Sequence, residues 1–258
     1  MEDPILRYRS ALSYNREVFL IQQGALVKAF STIDDNFASL IQPLATKRAS
    51  NGHSHVSLVP FLLLLQRQAR AAFELFSVDQ SYQGWVLARP GVECALIVGK
   101  WVDDQANARL WQDRYLNRSA YRKEYSGQAL RSKSLVNSAR IQSVLSKIND
   151  DFVHANPDYY GRHLLTGPAD PGYVDVVLSY FDDDPVQEAH VLAFLHLLLV
   201  IQQDVADLLG RLFGVPVILP NGIVEFERAF LPRVHALVAR HSGAKGILEE
   251  LGSWQAAA

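Results

Sequence analysis

The chain has 258 residues, of which 49% are hydrophobic and 20% are charged, and its formal net charge is −2. This composition excludes a wholly disordered chain, and the length is sufficient to bury a core without covalent staples. The single cysteine, Cys94, excludes an intramolecular disulfide and a cysteine-built metal site. Residues 1–4 are polar and acidic, unlike a signal peptide, and the longest apolar stretch, 191–201, is too short to span a bilayer. We therefore expect a cytoplasmic protein without membrane contact.

The first two thirds of the chain are dominated by helical patterns. Apolar residues at three- and four-residue steps predict one long helix or a pair of helices within 1–50. The most apolar pattern, 56–76, predicts a helix near the centre of the fold. Pro90 fits a first helical position, so the next helix is expected to start there. Two further long helices are predicted at about 105–125 and 128–154.

The chain changes character between residues 156 and 184. Repeated proline and glycine residues prevent a long helix there, so the sequence predicts an irregular, loop-rich insertion at 156–184. Residues 174–181 within it are apolar. Periodicity over so few residues leaves a short strand and a helical turn equally open.

Helical patterns return after this insertion. Asp184 and Pro185 are typical of a helix start, and Gly214 is typical of the end of the same helix. A last helix at 223–240 is expected to be bent or broken at Pro232. With no internal repeat, the sequence predicts one all-α domain over 1–258, a bundle of six or seven helices.

Carboxylates provide one candidate chemistry. A metal-dependent hydrolase would use Asp103, Asp104, Asp151 and His154, but Asp151-x-x-His154 occurs once, whereas helical di-iron sites need such a pair twice. Asp residues near helix starts are also common caps. We therefore expect neither a bound metal nor a cofactor, and a hydrolase is the last of three functional alternatives.

The near-neutral net charge hides a strong asymmetry. Residues 107–147 contain nine basic and two acidic residues, a charge of +7, whereas 148–190 contain nine acidic residues and one arginine, a charge of −8. Three arginines of the basic segment are four residues apart, which predicts one helix face with aromatic residues beside it. Such a face is typical of binding to RNA or another polyanion. The residues predicted to contact nucleic acid are Trp111, Arg114, Tyr115, Arg118 and Arg122. Alternatively, the two segments neutralise each other.

Three short motifs occur in a fixed order. They are Arg-Pro-Gly-Val-Glu at 89–93, an acidic and aromatic helix at 103–111, and a helix end at 145–157 that contains Val-His and Asn-Pro. Together they resemble a family of helical bacterial proteins of unknown function. More distantly, they resemble the HEPN helical-bundle superfamily, many of whose members are metal-independent ribonucleases of toxin and defence systems. The resemblance covers about residues 60–160.

The same motifs predict a polar cluster. An Arg and a Glu four residues apart share a helix face, and burial requires partners, so Arg89, Glu93 and His154 are expected to meet between helices. Such a cluster either carries a binding or regulatory function, our leading prediction, or fixes helix register. The resemblance implies the alternative of a dimeric ribonuclease, in which His154 or His235 activates the ribose 2′-hydroxyl and an arginine such as Arg228 stabilises phosphorane charge. A homodimer and RNA are the expected partners.

Overall fold

The computed structural model describes residues 3–46, 55–153, 164–168, 174–178, 181–214, 216–220 and 222–252. These residues form ten α-helices and one pair of strands, so the all-α class is confirmed and the expected six or seven helices are too few. The helices are α1 (Pro4–Gln22), α2 (Gly24–Thr46), α3 (Val59–Phe76), α4 (Ser81–Asp103), α5 (Gln105–Gln112), α6 (Arg118–Glu124), α7 (Ser138–Ile148), α8 (Asp184–Phe213), α9 (Ile223–Arg240) and α10 (Ser242–Ile247). The strands are β1 (Leu164–Pro168) and β2 (Val174–Leu178).

Helix α8 is the centre of the molecule. It is buried on all sides over most of its 30 residues, as expected for a helix without a polar face. An aromatic cluster of Phe76, Trp85 and Phe194 joins α3, α4 and α8, with ring centroids 4.9–5.8 Å apart. Among the described helices, α8 alone is long and apolar enough to cross a membrane, and 89% of its most apolar window is buried inside the protein.

Helices α3 and α4 pack closely against each other. A Cβ atom at Gly84 would lie 2.9 Å from the Phe76 ring, and one at Gly91 would lie 3.1 Å from Leu65 Cδ1. The prediction that α4 starts at Pro90 is wrong, because the helix begins nine residues earlier and contains the proline. Proline in a helix interior costs about 3 kcal/mol or more. The close glycine-mediated packing on α3 offsets this cost.

The N-terminal region forms two helices, α1 and α2, which meet at Gln23. Helix α2 buries one regular stripe of apolar side chains, Leu26, Ile33, Phe37, Leu40 and Leu44. A buried amide of α8, Gln202, donates to the carbonyl oxygen of Ile33 at 2.7 Å and accepts from Asn36 at 3.3 Å. Helix α1 buries only Phe19, whose ring packs on Phe73 of α3.

The predicted helix at 105–125 is broken in two. Helix α5 ends at Gln112, and a turn over 113–117 precedes α6. The break follows from capping: the Asn117 side chain accepts a hydrogen bond from the N–H of Ala120 and starts a new helix. The Tyr125 hydroxyl donates to the carbonyl of Asn107 at 2.7 Å and holds the two short helices together.

The predicted helix at 128–154 begins ten residues later than expected. Residues Gly127–Leu130 form a 3₁₀ turn, and α7 begins only at Ser138. The loop between them is fixed by Asp103 of α4, whose carboxylate accepts the Ser134 and Lys133 N–H groups at 2.7 Å each. A second remote carboxylate, Asp204 of α8, accepts the N–H of Asn137 at 2.7 Å. These contacts stabilise an extended loop that sequence periodicity does not reveal.

Part of the predicted irregular insertion is ordered structure. Strands β1 and β2 pair antiparallel, so of the two alternatives for the apolar segment that begins at 174, the strand is correct over Val174–Leu178. Residues 154–163, 169–173 and 179–180 lie outside the described part. Helix α8 starts with Asp183 as its N-cap, one residue earlier than expected, and ends at Gly214 with φ +66°, as predicted. Helix α9 continues through Pro232, so of the two alternatives predicted there, a bend or a break, the break is wrong.

The turn between α3 and α4 contains a half-buried carboxyl group, Asp79, whose surroundings disfavour its ionised form. Asp79 has φ +60°, a conformation that Asp and Asn tolerate better than most residues. Its carbonyl oxygen accepts a hydrogen bond from the N–H of Asp182 at 2.9 Å. Burial, followed by the charges of Asp182 and Asp184, raises the pKa of Asp79 to about 7. The native state therefore favours the protonated carboxyl group.

Replacing Asp79 with asparagine is expected to raise the free energy of unfolding by about 1–2 kcal/mol near pH 8. The pKa of Asp79 is about 7 in the native state and 3.8 without perturbation, so this group's stabilising contribution is present below about pH 4 and is lost as the pH rises through about 7. The full shift corresponds to about 4 kcal/mol, and solvent near the half-buried side chain reduces it. Urea unfolding across this pH range measures the effect.

The gain from Asp79→Asn should vanish near pH 4, where the wild-type carboxyl group is protonated as well. Asp35→Asn, at an exposed position of α2, is the matched control and should change the free energy of unfolding near pH 8 by less than about 0.5 kcal/mol. Equal stability of Asp79→Asn and wild type near pH 8 would show that ionised Asp79 does not destabilise the fold.

Candidate functional site

Two of the three predicted cluster residues meet on α4. Arg89 Nη1 lies 3.3 Å from Glu93 Oε2, and Arg89 Nε–H donates a hydrogen bond to the side-chain oxygen of Asn149. Both members of the ion pair are half-buried. Asn149 opens the π-helical turn Asn149–Val153 at the end of α7, so the contact joins α4 to α7. His154, the third predicted member, lies outside the described residues.

Two side chains near the Arg89–Glu93 ion pair, Cys94 and Tyr121, favour their uncharged forms. Burial, followed by the charge of Glu93, raises the pKa of the Cys94 thiol to about 12, and the same two causes raise the pKa of Tyr121. A buried thiol with so high a pKa stays protonated and unreactive. Arg89 is engaged by both Glu93 and Asn149, an arrangement that holds two helices in register. Sequence reasoning missed the role of Asn149, because nothing local connects it to an arginine sixty positions away.

The carboxylates of the hydrolase alternative serve other contacts. Asp103 accepts hydrogen bonds from the loop before α7, and Asp104 is the N-cap of α5, accepting the N–H of Ala106 at 2.8 Å. Asp151 forms an ion pair with Lys147 at 3.1 Å. Within the described residues, no group of three His, Cys, Asp or Glu side chains is arranged to hold a metal ion.

The residues of the predicted ribonuclease pair lie on the surface. Arg228 and His235 are both exposed on α9, two turns apart, with Pro232 between them. Seven residues correspond to nearly two full turns, so the two side chains leave the helix on the same side. The ribonuclease role of this pair stays a prediction.

The basic segment forms a projecting surface, here termed the basic elbow, that consists of α5, the turn 113–117 and α6. Trp111 fixes its base, since the ring packs edge-on against Phe61 at 5.0 Å and Trp101 at 5.5 Å. The guanidinium carbon of Arg114 lies 3.9 Å from the centroid of the Trp111 ring and 4.4 Å from that of Tyr115. This cation is therefore clamped between two aromatic rings.

The tip of the basic elbow is strongly exposed. Tyr115 is 71% exposed and Leu116 is 88% exposed. Arg118 and Arg122 lie one turn apart on α6, both exposed, as their spacing predicts. The predicted alignment of three arginines on one helix is wrong, because Arg114 lies in the turn. The turn brings Arg114 beside Tyr115 instead, where its Nη2 donates to the tyrosine oxygen at 3.3 Å.

The acidic segment does not neutralise the basic elbow within the described residues. Among the ion pairs of the described residues, one joins the two segments, Lys147 with Asp151, and it lies on α7 and its π-helical extension. Glu188 of the acidic segment pairs with Arg233 of α9 instead. The elbow's own Glu124 pairs with the buried Lys100 of α4. The exposed cations of the elbow are therefore left facing solvent.

Comparisons with known proteins give this chain no relative from which a function can be transferred. No family model, curated protein or solved structure matches it. The resemblance to the helical bacterial family and to the HEPN superfamily stays a prediction that rests on three short motifs.

One buried polar cluster is not apparent from the sequence. His196 of α8 lies with Nε2 2.9 Å from Glu227 Oε1 of α9, and with Nδ1 3.0 Å from Arg140 Nη2 of α7. Arg140 also donates to the carbonyl of Gly252 at 2.8 Å. Burial is the main cause that lowers the pKa of both His196 and Arg140. The cluster joins α7, α8, α9 and the chain after α10, and its members are too far apart in sequence for a local signal.

Proposed function

We propose that the protein is a binding module that holds single-stranded RNA on the basic elbow. The observation that carries the proposal is the strongly exposed Tyr115 ring, followed along the elbow by exposed Arg118 and Arg122, whose charges no carboxylate of the acidic segment pairs with in the described residues. Cations attract the phosphate backbone, and an exposed aromatic ring offers a face to a base.

The exposed aromatic ring in the turn 113–117 favours binding of single-stranded RNA over binding of a duplex. Bases of a duplex are already stacked, whereas unpaired bases are free to stack on an exposed aromatic ring. Tyr115 is held in place by Arg114, which is itself held by Trp111. A ring fixed in this way loses little conformational freedom on binding. Arg118 and Arg122, one turn apart on α6, would then contact successive phosphates.

Arg118→Glu is expected to weaken binding of a short single-stranded RNA by about tenfold or more, because a phosphate contact is replaced by repulsion. The affinity should also depend less steeply on salt concentration, with a slope smaller by about one. Since Arg118 is the first residue of α6, an acidic replacement is compatible with the helix. Fluorescence anisotropy over a salt series measures both changes.

The matched control is Arg67→Glu on α3, which changes the net charge equally at an exposed site outside the elbow. It should retain nearly wild-type affinity. Equal loss in both variants would show that overall charge, not the elbow, governs binding, and absence of salt-dependent binding by wild type would refute the proposal.

The RNA should be recovered intact. Cleavage that is lost in His235→Ala would favour the ribonuclease alternative.

A further inference from the structure

Helix α1 presents an apolar surface to solvent. It carries more exposed large apolar side chains than any other helix in the described part of the chain. These side chains are Ile5, Leu6, Tyr8, Tyr14, Leu20 and Ile21, at 37–75% exposure. Scattered single apolar residues are ordinary on protein surfaces, whereas a concentration on one helix marks an interaction site.

Two of these side chains, Leu6 and Leu20, mark the ends of a stripe along one face of α1, here termed the seam. The seam consists of Leu6, Arg9, Ser13, Glu17 and Leu20, spaced by three, four, four and three residues, and all five are exposed. Residues three and four apart are neighbours on one face of a helix. The opposite face of α1 contacts its own chain, where Phe19 packs on Phe73 and the ring of Tyr8, the least exposed of the six and not part of the seam, stacks on Phe181.

The seam is symmetric about its central residue, Ser13. Leu6 and Leu20 each lie seven positions from it, and Arg9 and Glu17 each lie four positions from it. In an antiparallel pair with Ser13 on the two-fold axis, each Leu6 meets Leu20 of the other copy and each Arg9 meets Glu17 of the other copy. The small serine at the centre lets the two backbones approach. We propose that α1 pairs antiparallel with α1 of a second copy of this chain.

Charges favour this arrangement over a parallel one. A parallel pair would place Arg9 opposite Arg9 and Glu17 opposite Glu17, whereas the antiparallel pair makes two opposite-charge contacts. Arg16, on the flank of the seam, forms an ion pair with Glu74 of its own chain at 2.9 Å. No ion pair within the described part of the chain engages Arg9 or Glu17. One helix pair is a small interface, so we expect a dimer of roughly micromolar Kd.

Sedimentation velocity of the full chain over a concentration series tests the proposal. Wild type should exchange between monomer and dimer, and Leu20→Glu should raise the dimer Kd by about tenfold or more, because symmetry makes one substitution act twice. Ile218→Glu, at a residue 81% exposed outside α1, is the control and should leave the Kd unchanged. A wild type that stays monomeric, or a dimer that Leu20→Glu leaves intact, would overturn the proposal.

Charge exchange tests the orientation separately. Glu17→Arg should weaken the dimer, since each Arg9 then faces an arginine of the other copy. Combining Arg9→Glu with Glu17→Arg should restore it, because opposite charges meet again in the antiparallel register. A parallel pair keeps like charges opposite each other in the wild type and in both variants. Failure of the double variant to recover affinity would therefore reject the antiparallel arrangement.

A cross-link tests the position of the axis. Ser13→Cys places two thiols together across the axis, and added diamide, by accepting two electrons and two protons, should join them as a disulfide-linked dimer. The native Cys94 is buried and does not compete. Ser31→Cys, an exposed position on α2, should cross-link far more slowly. Equal rates for the two variants would place the axis elsewhere and contradict the proposal.

Discussion

Replacing Lys100 with methionine is expected to lower the free energy of unfolding by roughly 2–4 kcal/mol and to weaken RNA binding at the same time. Lys100 is buried in α4, and its ammonium group has an acceptor for each proton. These acceptors are the Glu124 carboxylate, the Glu124 carbonyl at 3.1 Å and the Ala129 carbonyl at 2.7 Å. Methionine fills a similar volume but leaves both carbonyls without this donor. The end of the basic elbow would then lose its attachment to the core.

Lys123→Met on α6 is the matched control, because this lysine is exposed on the same helix whose end Lys100 holds. It should change the unfolding free energy by less than about 0.5 kcal/mol while removing a cation from the RNA surface. Urea unfolding therefore separates the two variants, because only Lys100→Met is expected to destabilise the fold. Unchanged stability of Lys100→Met would show that the carbonyl contacts do not hold the elbow in place.

The class of the fold and the two ends of helix α8 follow from local patterns in the sequence, whereas the central position is predicted for 56–76, the region of α3. Helix α8 has no polar face, a proline near its start and a glycine at its end, and each of these features acts within a few residues. The pairing of Arg89 with Glu93 is similarly local, since both belong to one helical turn. Features of this kind depend only on the geometry of a single helix, which explains why the sequence alone predicts them.

The failed predictions share a different physical cause. Helix α7 begins late because Asp103 and Asp204 hold the preceding loop from thirty or more positions away. Helix α4 includes Pro90 because the packing of its glycine face on α3 outweighs the lost hydrogen bond. In both cases a remote contact overrides a local preference. Only the three-dimensional arrangement reveals such contacts.

The candidate site likewise combines features that local sequence patterns predict with features that only the fold reveals. The enrichment of cations and aromatic residues in the elbow is visible in the sequence, but its shape depends on the turn at 113–117. That turn removes Arg114 from the helix face and clamps it between Trp111 and Tyr115. Sequence reasoning therefore identified the residues of the surface, whereas its geometry had to come from the fold.

Gly99→Ala is expected to lower the free energy of unfolding by about 1–3 kcal/mol, although alanine is the better helix former by about 1 kcal/mol. A Cβ atom at Gly99 would lie 2.6 Å from Ser132 Cβ and 2.7 Å from Leu135 Cγ. Ser132 cannot easily yield, because its hydroxyl donates to Asp103 at 3.0 Å and its N–H donates to Ser138 Oγ at 2.7 Å. Overpacking at this contact therefore outweighs helix propensity, and urea unfolding measures the net loss.

Gly246→Ala provides the opposite case within the same protein. This glycine belongs to α10, and a Cβ atom there would meet no atom within 4 Å, so helix propensity alone should raise stability by up to about 1 kcal/mol. If the two glycine-to-alanine substitutions change the free energy of unfolding in opposite directions, the difference comes from the contact between α4 and the loop that contains Ser132. If Gly99→Ala were as stable as wild type, that loop would have to shift away from α4. The hydrogen bonds to Asp103, which delay the start of α7, would then contribute less rigidity than the geometry implies.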